Sequence, residues 1–362
     1  MDIGIIGFPL SGKTTLFEAL TGGKGAPVGR GRLHSVVGTA HLPEPRLAQL
    51  AGIFHSRRLT YPEVRYHDFP VGEGGSRSLL FGGDLLNAMQ EMDCLLAVVR
   101  AFEHPTVPTP PKGVDPRRDL ADLEAELLLA DLSVVERRLQ RLEQALKGAK
   151  PHERSALLHE QGVLQQVWQA LEAGRPLRSI PLSKEEGRLL ANFHLLTAKP
   201  LLVVVNIGEE DLPRQKAIED ALDTPPREGR RVVALCARLE RDLALMPSQE
   251  AQAFRASMGL EEDGVSRVVR ALVHLLSLLT FFTGNQEEVR AWLVPQGTSA
   301  VEAAGRIHSD MERGFIRAEV IPWDVLVACG SMAEARRRGL LRSEGKTYRV
   351  QDGDVVHILF SV

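Results

Sequence analysis

Short apolar runs rich in β-branched residues recur along this chain, and amphipathic stretches fall between them. Residues 1–6, 36–40, 64–67, 95–100, 200–205 and 231–235 read as strands. The runs at 95–100 and 200–205 are continuously apolar, as strands buried on both faces of a parallel sheet are. Residues 15–20, 45–51 and a segment carrying Val265, Val268, Val269 and Leu272 have helical spacing. From Asp119 the composition shifts to Leu, Glu, Arg and Ala. There Leu120, Leu123, Leu127, Ala130, Val134, Leu142 and Leu146 recur at three- and four-residue steps, predicting one long amphipathic helix. Gly148-Ala149-Lys150-Pro151 breaks it, and Leu157, Leu164, Val167, Trp168 and Leu171 mark a second helix. After about residue 280 the pattern turns β-rich, with strands at 289–294 and 355–359 and a helix at 299–307. The alternation predicts a doubly wound, mostly parallel α/β sheet interrupted by an antiparallel helical hairpin.

Composition narrows the picture. At 362 residues the chain has room for two or three domains, and 44% hydrophobic with 25% charged residues is ordinary for a globular protein. The net charge of −3 draws it neither to nucleic acid nor to membrane, so any such contact needs a local patch. Cys94, Cys236 and Cys329 are far apart among apolar neighbours and suggest buried thiols, neither a disulfide framework nor a zinc site. The N-terminus enters a strand without a basic region or cleavage site, and the apolar stretch at 272–282 is short and interrupted by His274. A cytoplasmic monomer without membrane contact is expected.

The first strand runs into Gly7-Phe8-Pro9-Leu10-Ser11-Gly12-Lys13-Thr14, an intact G-x-x-x-x-G-K-[ST], and Thr15 continues into a helix. Glycines let successive N–H groups point inward at phosphate oxygens, and the helix adds the positive end of its dipole. Lys13 supplies a charge for the β- and γ-phosphates, and the Thr14 hydroxyl is a candidate Mg²⁺ ligand. Asp68, ending the strand at 64–67, is placed to orient the same metal. This chain is expected to bind a nucleoside phosphate. Two glycine-rich loops, 22–32 and 69–76, follow the first helix and Asp68.

The order of phosphate loop, strand-ending Asp and late Asn-x-x-Glu resembles the translation-factor class of GTPases, and the details resemble the YchF family of the Obg-like group over nearly the whole chain. The specific pieces are Pro43-Glu44-Pro45-Arg46-Leu47, the stretch 119–136, Leu195-Leu196-Thr197-Ala198-Lys199-Pro200, Glu288-Val289-Arg290-Ala291-Trp292, Ile307-His308, Gly314-Phe315-Ile316-Arg317-Ala318-Glu319, and Val350-Gln351-Asp352-Gly353-Asp354-Val355. The resemblance implies a P-loop nucleotide-binding domain at 1–118 and 196–278. A helical hairpin would be inserted at 119–195, and a TGS domain of ubiquitin-like β-grasp fold would occupy 279–362. It also implies Mg²⁺ and ATP or GTP as ligands, and ribosome or RNA contacts through hairpin and TGS domain. The run Arg336-Arg337-Arg338, with Arg342 and Lys346, is a candidate for such a contact.

Base reading is expected from Asn206, Ile207 and Glu209, with support from Cys236-Ala237-Arg238. GTPases of this class carry Asn-Lys-x-Asp, whose Asp accepts from guanine N1–H and N2–H₂. Glu209 is one methylene longer and Ile207 replaces the Lys, which relaxes guanine selection; members of the resembled family carry Asn-x-x-Glu and tend to prefer ATP or accept both nucleotides. Three departures from the family concern hydrolysis. No Thr or Ser lies between Thr21 and Ser35, and the switch Thr position falls on Arg32. The family's Asp-x-Ala-Gly becomes Asp68-Phe69-Pro70-Val71-Gly72, so Gly72 reaches the γ-phosphate only by another loop path. The family's His falls on Thr109. Binding is the firm expectation, slow turnover the next, and a nucleotide sensor without turnover the alternative.

Overall fold

The computed structural model describes residues 1–23, 25–28, 35–69, 83–110, 112–223, 228–260 and 262–361. They form two compact units, 1–40 with 65–271 and 41–64 with 272–362.

The first unit is built on a seven-stranded sheet. Its strands are β1 (Asp2–Ile6), β2 (Gly25–Val28), β3 (Ser35–His41), β5 (Glu63–Asp68), β6 (Cys94–Ala101), β7 (Leu201–Ile207) and β8 (Arg230–Leu235), in the order β2-β3-β5-β1-β6-β7-β8. β1 pairs in parallel with both β5 and β6, and β6, β7 and β8 continue in parallel. The apolar runs that predicted strands are the sheet centre: all seven residues of β7 are buried. Ile5 is level with Asp68 on one side and Leu96 on the other, and Asn206 is level with Leu235. The phosphate loop, Asp68 and Asn206 therefore share the carboxyl edge of the sheet, where open α/β folds bind ligands. Residues 25–28, read as glycine-rich loop, are instead the edge strand β2, antiparallel to β3. An edge position accommodates Pro27, which has no N–H for a second neighbour.

The hairpin helices run over Pro116–Gly148 and Pro151–Glu172. The first starts three residues earlier than the pattern suggested, because Asp115 caps it by accepting from Arg117 N and Arg118 N at 3.0 and 3.1 Å, with Pro116 leading the first turn. The two helices pack through Val135, Leu142, Val163, Leu164, Val167 and Leu171. The buried position is Val135, with Val134 half-buried beside it. Asp131, 1% exposed, ties the hairpin to the sheet: its carboxylate accepts from Leu196 N at 2.8 Å and Thr197 N at 2.7 Å, just ahead of β7.

The second unit contains β4 (Arg58–Thr60), β9 (Leu278–Gly284), β10 (Glu288–Pro295), β11 (Phe315–Pro322), β12 (Arg342–Glu344) and β13 (Asp354–Phe360), in the order β12-β11-β13-β9-β10-β4. β9 and β10 form a hairpin, the helix Ala300–Ile307 crosses, and β13 lies between β11 and β9, antiparallel to the first and parallel to the second. That is the order of a β-grasp sheet, extended at one edge by β4 in parallel with β10. The sequence placed 41–64 in the nucleotide domain; here they fold with the C-terminal strands. Leu47 and Leu50, fully buried on the helix Arg46–Phe54, pack with Phe282, Val289 and Ala291, a burial that contributes about 2 kcal/mol per side chain. Arg46 completes the join. It donates to both Glu44 carboxylate oxygens and to Asp352 Oδ2, each at 2.7 Å, and lies 5.1 Å above the Phe282 ring.

Asp131 gives the hairpin attachment a direct test. Asp131→Ala leaves two buried N–H donors unpaired and should lower stability by about 2 kcal/mol, whereas Asp131→Asn retains one acceptor and should lose less. Urea unfolding of the three proteins measures the difference; equal stability of Asp131→Ala and wild type would remove this contact from the account.

Candidate functional site

The phosphate loop bridges β1 and the helix α1 (Lys13–Thr21). Two of its glycines are required by geometry. Gly7 has φ 151°, and a Cβ there would lie 2.4 Å from Val98 O; Gly12 has φ 93°, and a Cβ there would lie 2.1 Å from Asn206 Nδ2. Leu10 also takes a left-handed φ of 63° and is exposed, which costs about 1 kcal/mol for a residue with a Cβ. Pro9 is exposed beside it, while Ser11 is buried.

Lys13 is turned into the loop, its Nζ donating to Gly7 O and Phe8 O at 2.9 Å each. Burial pulls the ammonium down to about 8, opposed by the nearby negative charge of Asp68. Thr14 Oγ1 donates to Asp68 Oδ2 at 2.8 Å. Burial pushes the Asp68 carboxyl up, while the Thr14 hydroxyl and the Lys13 charge oppose the rise. An ammonium, a hydroxyl and a carboxylate from two strand ends are thus gathered at the opening of α1.

Asn206 joins this loop to the rest of the site. Its Nδ2 donates to Ser11 O at 3.0 Å and its Oδ1 accepts from Ala237 N at 3.0 Å. Both polar atoms are engaged, so Asn206 acts here as a brace between β7, the phosphate loop and the turn after β8. Gly12 must be glycine for that brace to fit.

A cavity of about 650 Å³ opens from the loop. Gly12, Thr15, Asn206, Ile207, Glu209 and Cys236 all line it. The sequence grouped these residues, and the structure brings them together. Ala237 contributes through its N–H to Asn206. Gly72, Pro70 and Val71, as well as Arg30 and Arg32, lie outside the described residues.

The segment after β6 lines the same cavity with Phe102, His104, Thr106 and Val107. Its organiser is Arg100, 3% exposed at the end of an otherwise apolar strand. The guanidinium donates to the carbonyls of Phe102, Pro108 and Val107 at 3.0, 2.9 and 3.3 Å and stacks 4.7 Å from the Phe102 ring. Sequence reading passed over Arg100, although a charge closing a buried strand was the available signal. Arg238 and Arg241 reach the cavity from the helix Ala237–Ala244.

The basic run in the second unit is largely neutralised within its own domain. Arg336 meets Glu319 at 2.8 Å, Arg337 meets Glu334 at 2.7 Å, and Arg338 pairs with Glu334 as well. Among the described residues, no helix is long and apolar enough to cross a membrane.

Residues 278–361 match the family profile YchF-GTPase_C, described as a protein of unknown function. The chain is 35% identical over 368 residues, all of both chains, to the ribosome-binding ATPase YchF of Bacillus subtilis (strain 168). It is likewise 35% identical over 362 residues, 99% of each chain, to the ribosome-binding ATPase YchF of Escherichia coli O157:H7. Among solved structures, the Schizosaccharomyces pombe YchF GTPase superposes with a TM-score of 0.84 at 27% identity, covering 99% of this chain and 97% of that one.

The depressed Lys13 gives a pH signature. Above about pH 8 the ammonium of the free protein increasingly loses its proton, whereas an adjacent polyphosphate favours the charged form. Binding of inorganic tripolyphosphate should therefore take up a proton near pH 8–9, and affinity should fall as pH rises through that range. Calorimetry in two buffers of different ionisation enthalpy counts the proton. Equal heats in both buffers, or the same uptake in Lys13→Ala, would contradict this placement of the charge.

Proposed function

The chain belongs to the YchF family, and from that premise we propose that it binds a purine nucleoside triphosphate, ATP foremost and GTP as well, together with Mg²⁺. The observation that carries the reading is the continuity of one cavity from the phosphate loop at Gly12 and Thr15 to Asn206, Ile207 and Glu209. Phosphates would lie against the N–H groups of the loop, Lys13 and the opening of α1. The base would lie between Ile207 and the Phe102 segment. Glu209, an acceptor only, suits the exocyclic amine of adenine and, with a shift, the donors of guanine.

The residues present fit Mg²⁺. Thr14 Oγ1 and Asp68 Oδ2, 2.8 Å apart, are hard oxygen donors of the kind this ion takes alongside phosphate oxygens. The bound ion would neutralise phosphate charge; Thr14 and Asp68 would hold and orient it, and Lys13 would share the neutralisation. Hydrolysis is proposed to be slow. The sequence offers no Thr or Ser between Thr21 and Ser35, Pro70 lacks an N–H, and Thr109 cannot act as an imidazole would. The same three observations favour a second reading, a nucleotide sensor that binds without turnover. The relatives named as ribosome-binding ATPases make the ribosome the macromolecular partner proposed for this chain, through hairpin and β-grasp domain.

Matched calorimetric titrations of ATP and GTP with Mg²⁺ test the base reading. ATP should bind at least as tightly as GTP, and Lys13→Ala should weaken both by more than about tenfold. Clear GTP preference would refute the role given to Glu209. Product assay on the same samples separates the two readings: slow release of phosphate supports the ATPase, and intact ATP after long incubation supports the sensor.

A further inference from the structure

Two buried polar side chains are neighbours at the carboxyl edge of the first sheet. Arg100 on β6 is the register partner of Asn206 on β7, and the two residues are 3% and 5% exposed. Asn206 is committed to the phosphate loop and the turn after β8, Arg100 to the segment that follows β6. That segment contains a tight turn, with Val107 N donating to His104 O at 3.0 Å across Pro105 and Thr106. Proline suits the first central position of such a turn, because its ring presets φ. The guanidinium ties the turn to the strand on both sides, through the carbonyl of Phe102 before it and those of Val107 and Pro108 at its end. Among the described residues no carboxylate pairs with Arg100, so its hydrogen bonds go to the path of this segment. A further tie, Arg238 Nη1 to His104 Nε2 at 2.8 Å, comes from a side chain that is 59% exposed.

The guanidinium is not part of the cavity lining, but residues that it holds are. Phe102 and Val107 line the cavity, and the guanidinium carbon lies 4.7 Å from the Phe102 ring centre. Burying a guanidinium is costly unless its N–H groups are matched, and here each of the three nitrogens meets a carbonyl. Those carbonyls converge on one group only when the chain doubles back after Phe102. The charge and the turn therefore require each other. A lysine cannot replace this fork, since its three N–H groups radiate from a single atom. An apolar surface held in advance also loses little freedom when a flat ring settles on it.

Resting on the nucleotide reading of this cavity, we propose that Arg100 is a positioning residue for the nucleoside. It holds the segment 102–108 so that Phe102 and Val107 offer the purine a preformed apolar surface, and it takes no part in binding the phosphates. The contact is with the face of the ring system, so it serves adenine and guanine alike.

The test uses the full chain and three probes: ATP with Mg²⁺, GTP with Mg²⁺, and inorganic tripolyphosphate. Each is titrated calorimetrically against wild type, Arg100→Lys, Phe102→Ala and the double variant Arg100→Lys/Phe102→Ala. Arg100→Lys keeps the charge and the bulk, so the fold is retained while the fork is lost. It should weaken ATP and GTP by the same factor, about tenfold, the scale of one base–aromatic contact, and leave tripolyphosphate unchanged. Phe102→Ala should weaken both nucleotides likewise, and the double variant should lose clearly less than the two single losses combined. Unchanged tripolyphosphate binding also reports that each variant is folded. If Arg100→Lys binds ATP as wild type does, or loses tripolyphosphate in equal proportion, Arg100 is not a positioning residue for the nucleoside. Losses that combine in full would show that Arg100 does not act through Phe102 and would overturn the proposal, as would a changed ratio of ATP to GTP affinity. Wild-type protein that binds tripolyphosphate but neither nucleotide would overturn the nucleotide reading itself, and this one with it.

Discussion

The site depends on one amide group. Asn206 reaches from the end of β7 to the Ser11 carbonyl in the phosphate loop and to the Ala237 N–H after β8. With both polar atoms committed and the side chain buried, the amide has a single satisfied orientation, and an unpaired partner on either side would cost about 1–3 kcal/mol. The loop must come close enough for that contact, and at Gly12 there is no room for a Cβ. A glycine near the start of the sequence and an asparagine past its middle are therefore one structural requirement. The parallel register sets the distance, since the strand ends that carry them share one edge of the sheet.

Several stretches that carry the family resemblance are likewise halves of contacts. Asp131, within 119–136, accepts the N–H groups of Leu196 and Thr197 in the second stretch. Arg46, held by Glu44, reaches Asp352 near the C-terminus, and Asp352 in turn accepts from Thr280 N at 2.8 Å. Each joins a helix to a sheet through a charged group with little exposure. Such groups are costly to bury unpaired, so both partners have to be present. This is why the fold class and hairpin were legible. Periodicity supplied the elements, and the paired motifs supplied their order.

What stayed illegible has a common cause. Residues 25–28 become a strand only by pairing with β3, and 58–60 only by pairing with β10. Local composition, rich in Gly, Pro and Arg, argues against both. Residues 41–64 join the C-terminal unit because Leu47 and Leu50 find their apolar partners there, some two hundred and more residues away in sequence. The wall built by Arg100 was missed for the same reason. A single arginine gives no period, and its three carbonyl partners become its partners only once the segment folds back.

Binding and turnover rest on different parts of this architecture. Lys13, Thr14, Asp68 and Asn206 sit at strand ends or a helix start, where backbone hydrogen bonds hold them in place. Charge held in place in this way suits the binding of a nucleotide. Positioning an attacking water asks for further groups, and such groups commonly come from loops, whose sequence tolerates change. In this chain the sequence positions that depart from the resembled pattern are Arg32, Pro70 and Thr109. A protein built this way can lose rate by many steps without losing affinity, because no residue of the cradle has to move when a loop residue changes. A switch driven by occupancy rather than by hydrolysis is then the physically cheaper state to reach.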